Sequence, residues 1–267
     1  MSDLLQMIVL AVVQGLTEFL PVSSSGHLVL AKSLLGFEAM DGLGVEVLLH
    51  GGTVVAVLAY YWKFIVGIVR GLIRREGEAW RFALAVAVSM IPAVALGLLF
   101  EEQLEAAAES PLFVCGALVF TGLLLLSTRV FGRDGLGREV SAGRGFLMGL
   151  AQAVAMLPGV SRSGSTIAMS RFLGIGTEKA AAFSFLMVVP VIVGGNLYYF
   201  AKAFTDGDSP FAGLTWPMGL AGFAVSALVG YASVAWMVRL LGRHHFWRFG
   251  FYCLAVGLCG GAWLLFR

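Results

Sequence analysis

Residues 14–27, Gln14-Gly-Leu-Thr-Glu18-Phe-Leu-Pro21-Val-Ser23-Ser24-Ser25-Gly26-His27, and residues 152–166, Gln152-Ala-Val-Ala-Met156-Leu-Pro158-Gly-Val-Ser161-Arg162-Ser163-Gly164-Ser165-Thr166, are two versions of one polar sequence. At an offset of 138 residues, Gln14 lies over Gln152, Ser23 over Ser161, Ser25 over Ser163 and Gly26 over Gly164, with the prolines one position out of register. Both versions sit inside strongly apolar sequence. Hydroxyls, a carboxylate, an imidazole and a guanidinium are costly in such surroundings, which marks them as functional.

The surroundings are those of an integral membrane protein. The chain is 59% hydrophobic and 13% charged, where a soluble domain carries about 25% charged residues. A net charge of +2 gives no argument for a nucleic-acid partner. Cys115, Cys253 and Cys259 lie in apolar runs without metal-ligand spacing and read as small core residues. Asp3 stands where a signal peptide would carry basic residues, so no cleavable leader is expected. No linker divides the 267 residues, which are expected to form a single membrane domain. The 35 glycines suit close helix packing.

A spanning helix needs about 20 apolar residues. Six uninterrupted candidates run over residues 45–62, 82–100, 112–130, 180–201, 216–238 and 249–266. Two further stretches, 4–35 and 145–174, are too long for one span, too interrupted for two, and broken at their Pro and Ser/Gly clusters. They are expected to be re-entrant helix–loop–helix hairpins, since irregular backbone at membrane depth survives only where protein or water covers it. The fold class is then all-α, with six transmembrane helices and two re-entrant hairpins. One hairpin and three spans per half put the second half upside down, as inverted repeats over approximately 1–135 and 140–267 with the site between them.

Charge supports a direction. With the 63–81 loop in the cytoplasm, that side collects Lys63, Arg70, Arg74, Arg75, Arg81, Arg129, Arg133, Arg138, Arg144, Arg171, Lys179, Arg239, Arg243 and Arg248. The outer side holds Lys32, Lys202 and Arg267, beside an acidic loop of Glu101, Glu102, Glu105 and Glu109. This asymmetry predicts both termini outside, with the first Ser-rich loop entering from the outer face.

Gln14 and Glu18, four residues apart, share one helix face. Ser23, Ser24, Ser25, Gly26 and His27 precede an apolar run, where serines are ordinary N-caps and free N–H groups make an anion site. Ser161, Arg162, Ser163, Gly164 and Thr166 form the stronger signal: Arg162 is the one arginine placed at membrane depth, and its planar fork matches phosphate oxygens. A salt bridge from Arg162 to Glu18 is the plain structural reading, compatible with release to an arriving phosphate. Glu46 and His50 are weaker candidates, equally suited to supporting the site or packing a helix. His244, His245, Trp247 and Arg248 resemble an interfacial belt.

These residues resemble the undecaprenyl-diphosphatase family, the bacitracin-resistance-type phosphatases of bacteria. Residues 14–27 look like its first signature motif and Pro158–Thr166 like its second, while Val45–Thr53 and Phe183–Leu186 also fit. The resemblance implies removal of the terminal phosphate from undecaprenyl pyrophosphate, an isoprenoid pyrophosphate lipid, which recycles the carrier for peptidoglycan and confers bacitracin resistance. It implies a multi-pass protein of the bacterial plasma membrane, among membrane lipids, with a site opening outward. It also implies a divalent cation, Mg²⁺ or Ca²⁺. Glu18, Ser24, His27 and Arg162 would be catalytic, with Ser23, Ser25, Gly26, Ser161, Ser163, Gly164 and Thr166 holding substrate and Glu18 with Gln14 holding metal. Many members carry Glu where this chain has Gln14, and an amide is a poorer magnesium ligand. The nucleophile stays open between Ser24, His27 and water, and the oligomeric state stays open, a homodimer included. The rival class is a transporter or flippase of a phosphorylated lipid using the same midplane site.

Overall fold

The computed structural model describes residues 2–37, 43–133, 136–206, 211, 213–242 and 245–266. The chain runs through α1 (Asp3–Thr17), α2 (Ser24–Leu35), α3 (Leu43–Tyr60), α4 (Trp62–Ile73), α5 (Gly77–Leu99), α6 (Glu101–Ala108) and α7 (Pro111–Phe131). It continues through α8 (Ala142–Val154), α9 (Arg162–Phe172), α10 (Thr177–Leu186), α11 (Val188–Asp206), α12 (Trp216–Leu241) and α13 (Phe249–Phe266). Among the described residues β pairing is limited to one isolated bridge, Arg138 with Ile175.

Five stretches are long and apolar enough to cross a bilayer: Gly77–Leu99, Pro111–Phe131, Thr177–Thr205, Trp216–Leu241 and Phe246–Phe266. They cover five of the six expected spans. The sixth expectation, 45–62, falls on α3, which qualifies only together with α4, and the pair is bent by 71°. Tyr61 leaves helical geometry there (φ −93°, ψ 13°), and beyond it α4 exposes Lys63 and Arg70 beside Trp62 and Ile73. That mixed surface suits an interface better than a bilayer interior. The sequence expectation of loops over 63–81 and 101–109 is corrected accordingly, since α4 and α6 occupy most of them.

The apolar spans leave much of their surface uncovered: only 17% of the Phe246–Phe266 window and 22% of the Gly77–Leu99 window are buried. Apolar exposure on this scale fits lipid and not water as solvent, so the protein is a multi-pass membrane protein. Cys259 is exposed on α13, so it is no core residue, while Cys115 and Cys253 are buried as expected. Trp247 lies 4.5 Å from the Arg129 guanidinium and 5.6 Å from that of Arg248, consistent with an interfacial belt. Arg243 and His244 lie outside the described residues, as does Arg267.

Small residues set the packing. Gly145 meets Ala85, Gly149 meets Ser89 and Met156 meets Gly97, so α8 and α5 run parallel. Met7 meets Gly222 and Gly15 meets Gly230, so α1 and α12 also run parallel. Gly122 meets Gly250, and Gly257 meets Cys115 and Val119, so α7 and α13 run antiparallel. The two interrupted stretches each fold as paired short helices, α1 with α2 and α8 with α9. At about 1.5 Å per residue, each is about 16–22 Å long, too short alone for a hydrocarbon core of about 30 Å. Phe19, Leu20 and Val22 from the first break pack with Ile167 and Ala168 of α9 and Phe185 of α10 in one buried core, which holds the two polar segments in place.

A Cβ on Gly149 would sit 2.3 Å from the Ser89 carbonyl oxygen, whereas one on Gly194 would meet nothing within 4 Å. Gly149→Ala is expected to destabilise the detergent-solubilised protein by about 1–3 kcal/mol through forced separation of α8 from α5. Gly194→Ala should leave the melting temperature unchanged or higher. Equal melting of the two variants would mean that α5 and α8 do not touch this closely.

Candidate functional site

The site forms where the two breaks meet. Ser23 caps α2 by accepting from Gly26 N at 3.2 Å, and Ser161 caps α9 by accepting from Gly164 N at 3.0 Å. The ordinary reading of the first serine cluster as an N-cap is therefore correct for Ser23, and the equivalence at offset 138 extends the same hydrogen bond to Ser161. The residues just after the caps, Ser24 and Arg162, begin their helices side by side, so two positive helix ends lie near one point.

That point is the Glu18 carboxylate, 5% exposed at the end of α1. Its Oε2 accepts from Gln14 Nε2 at 2.9 Å and from Ser24 Oγ at 2.6 Å. His50 Nε2, from α3, lies 3.6 Å from the same oxygen. Its Oε1 forms an ion pair with Arg162 Nη2, so the expected bridge between the two halves is present. Gln14, Glu18, Ser24, His50 and Arg162 thus converge from four helices and the end of α1. Among these the sequence marked His50 only weakly, because its spacing from Glu46 says nothing about which helix it faces.

The other predicted residues build the walls. Ser163 Oγ donates to the Leu20 carbonyl at 2.9 Å and the Gly159 N–H donates to Ser25 Oγ at 3.4 Å, tying each loop to the other. Thr121 Oγ1 of α7 donates to the Gly159 carbonyl at 3.1 Å and accepts from Ser161 N at 3.0 Å. A hydroxyl inside an apolar span was the available signal for Thr121. Gly26 eases this approach, since a Cβ there would lie 3.2 Å from the Gly159 Cα, a tight contact. Thr166 instead donates to the Arg162 carbonyl at 2.9 Å and pairs with Ser184 Oγ at 2.5 Å, so its hydroxyl braces α9 against α10. Glu46 pairs with Lys32 at 3.0 Å, joining α3 to α2.

His27 has both ring nitrogens engaged. Nδ1 lies 2.8 Å from the Ser23 carbonyl, which can only accept, so Nδ1 carries a proton. Nε2 lies 2.8 Å from the hydroxyl of Tyr252 on α13, and the two rings stack at 5.6 Å. In the neutral ring Tyr252 therefore donates to Nε2. Nothing in the sequence links residues 225 positions apart, so Tyr252 was not legible.

Ser23 adopts φ 69°, a conformation costly for a residue with a Cβ, by about 1–3 kcal/mol. Ser→Gly at an N-cap costs only a few tenths of a kcal/mol. Ser23→Gly is expected to raise stability by about 1 kcal/mol, read as a melting temperature about 3 °C higher. An unchanged or lower value would show that the turn stores no strain.

The bacitracin resistance protein BacA family model matches residues 7–259. The chain is 41% identical over 259 residues to an undecaprenyl-diphosphatase of Christiangramia forsetii, covering 96% of both chains. It is 37% identical over 256 residues to one of Bacteroides fragilis, covering 94% of each. Against one of Rubrobacter xylanophilus it is 38% identical over 275 residues, covering 99% of this chain and all of the other. With both signature segments inside the matched region and meeting at one carboxylate, this chain belongs to the bacitracin resistance protein BacA family.

Proposed function

We propose that this protein is an undecaprenyl-diphosphatase, which hydrolyses undecaprenyl pyrophosphate to undecaprenyl phosphate and inorganic phosphate. The observation that carries the chemistry is the 2.6 Å hydrogen bond from Ser24 Oγ to Glu18 Oε2. A hydroxyl paired with a buried carboxylate is an activated nucleophile with its base in place. His27 is turned to Ser23 and Tyr252, which favours Glu18 over His27 as the base.

In this mechanism Glu18 accepts the Ser24 proton as Oγ attacks the terminal phosphorus. The P–O bond to the lipid phosphate breaks and undecaprenyl phosphate leaves. Water then attacks the phosphoserine, inorganic phosphate leaves, and the proton held by Glu18 returns to Ser24 Oγ. Arg162, released from Glu18 by the incoming anion, and the N–H groups opening α2 and α9 stabilise the charge on the transferred group. Ser161, Ser163, Ser23, Ser25, Gly26 and Gly164 shape the cradle, and Thr166 keeps α9 in register. A transporter needs the cationic cradle but not the Ser24–Glu18 contact, so the transport reading is not favoured.

A divalent cation, Mg²⁺ or Ca²⁺ by resemblance, fits beside Glu18. The Gln14 Oε1 is buried without a hydrogen-bond partner, and such an oxygen is a ready neutral ligand. Among the described residues no three His, Cys, Asp or Glu side chains converge, so substrate oxygens would complete the shell. When bound, the ion would neutralise charge on the phosphates.

The α1/α2 and α8/α9 pairs are best read as re-entrant hairpins entering from opposite faces. Equivalent helices support this: α1 packs parallel to α12 and α8 parallel to α5, while α7 and α13, the same position in each half, pack antiparallel. An antiparallel pair of equivalent spans is what inverted repeats produce. Lys202 pairs with Glu101 at 2.8 Å, in keeping with one outer side for both, while Lys179 pairs with Glu139 on the other. The distribution of positive charge supports both termini outside the plasma membrane, with the first loop entering from the outer face.

Inorganic phosphate release from undecaprenyl pyrophosphate by purified protein in detergent, with Mg²⁺, tests the activity. Arg162→Ala is expected to lower kcat by about 10³-fold. Ser24→Ala should lower it by about 10⁴-fold or more. Retention within about tenfold by Ser24→Ala would transfer the attack to water or His27. In a Cys259→Ser background, an impermeant thiol reagent should label Glu102→Cys in intact cells and Arg75→Cys only after permeabilisation. The reverse pattern would invert the topology.

A further inference from the structure

We infer that His50 is a metal ligand, its Nε2 forming with Glu18 Oε2 a nitrogen–oxygen seat for the divalent ion of this site. The ion's purpose rests on the phosphatase reading, but its position rests on the geometry around His50.

The ring's orientation fixes its tautomer. His50 Nδ1 lies 2.8 Å from the Glu46 carbonyl oxygen, an acceptor only, so Nδ1 carries a proton. In the neutral ring Nε2 is then a bare lone pair. That nitrogen lies 3.6 Å from Glu18 Oε2, beyond hydrogen-bond range, so the two acceptors call for a cation or a donor between them. The gap suits two ligands of one ion, each bonded at about 2.0–2.2 Å. A carbonyl bonded to the far nitrogen is also the usual support for a metal-bound imidazole.

The rest of the face makes a second strong donor necessary. Gln14 contributes an amide in place of a second carboxylate, and its Oε1 is buried without a partner. Glu18 is 2% exposed at its side chain and His50 23%, so the imidazole is the side of the seat that substrate reaches. Imidazole binds Mn²⁺, Co²⁺ and Zn²⁺ better than it binds Ca²⁺. This chain should therefore prefer Mn²⁺ to Ca²⁺. The competing occupant of the gap is a proton, which would make His50 an imidazolium paired with Glu18.

Pulsed EPR on the purified protein separates the two. The sample contains Mn²⁺ and methylene bisphosphonate, whose P–C–P bridge cannot be hydrolysed and which offers Mn²⁺ only oxygen ligands in solution. A ¹⁴N coupling of directly bound imidazole is expected in the wild type, lost in His50→Gln and retained in His27→Gln. No ¹⁴N coupling in the wild type, or coupling that survives His50→Gln, overturns the proposal. Phosphate release from undecaprenyl pyrophosphate by the same preparation, with no ¹⁴N coupling, overturns the His50 seat and leaves the phosphatase reading standing.

Discussion

The structure depends on one ion pair, Arg162 with Glu18, and on the reason it must exist. A polar loop buried among apolar helices has little water to satisfy it, so each unpaired group costs several kcal/mol. Neither loop could be buried alone. Each supplies the other's partners: Arg162 and Ser163 reach across to Glu18 and the Leu20 carbonyl, and Ser25 reaches back to the Gly159 amide. The groups that hold the two loops together are therefore the same ones that the proposed mechanism offers to a pyrophosphate.

Close helix contact makes this meeting possible. The glycines of α8 against α5 and of α7 against α13 bring backbones together, which is how helices associate where lipid offers no hydrophobic drive. Gly159, at φ 94° and packed on the Val114 carbonyl, lets the second loop press onto α7, where Thr121 ties it down. The apolar core of Phe19, Ile167 and Phe185 then closes around the loops without entering them. Walls packed this closely hold a buried carboxylate in one orientation, as the base role proposed for Glu18 requires.

Much of this was legible in the sequence because membrane segments are constrained by length and polarity. The doubled polar motif located the site, and the four-residue spacing of Gln14 and Glu18 put them on one face. Apolar length gave five spans closely. Length alone could not reveal the bend after Tyr60, because residues 45–62 and the helix beyond them are both apolar and only a dihedral at Tyr61 separates them. Nor could spacing assign His50 to Glu18 or Tyr252 to His27, since these contacts depend on how α3 and α13 are rotated about their axes. The histidine of the first motif was the natural candidate for base, yet its nitrogens face the Ser23 carbonyl and Tyr252. The acidic stretch at 101–109 passed for a loop because helices of eight residues leave little periodicity to detect.

Ser24 and Arg162 stand at equivalent positions, one residue past equivalent caps, and both touch Glu18. Two identical halves would place the same side chain at both. Two serines would leave the carboxylate without its countercharge, and two arginines would leave it without the hydroxyl that donates to it. On the proposed mechanism the two segments must differ at this pair: one position supplies the attacking hydroxyl and its counterpart the charge that balances the carboxylate.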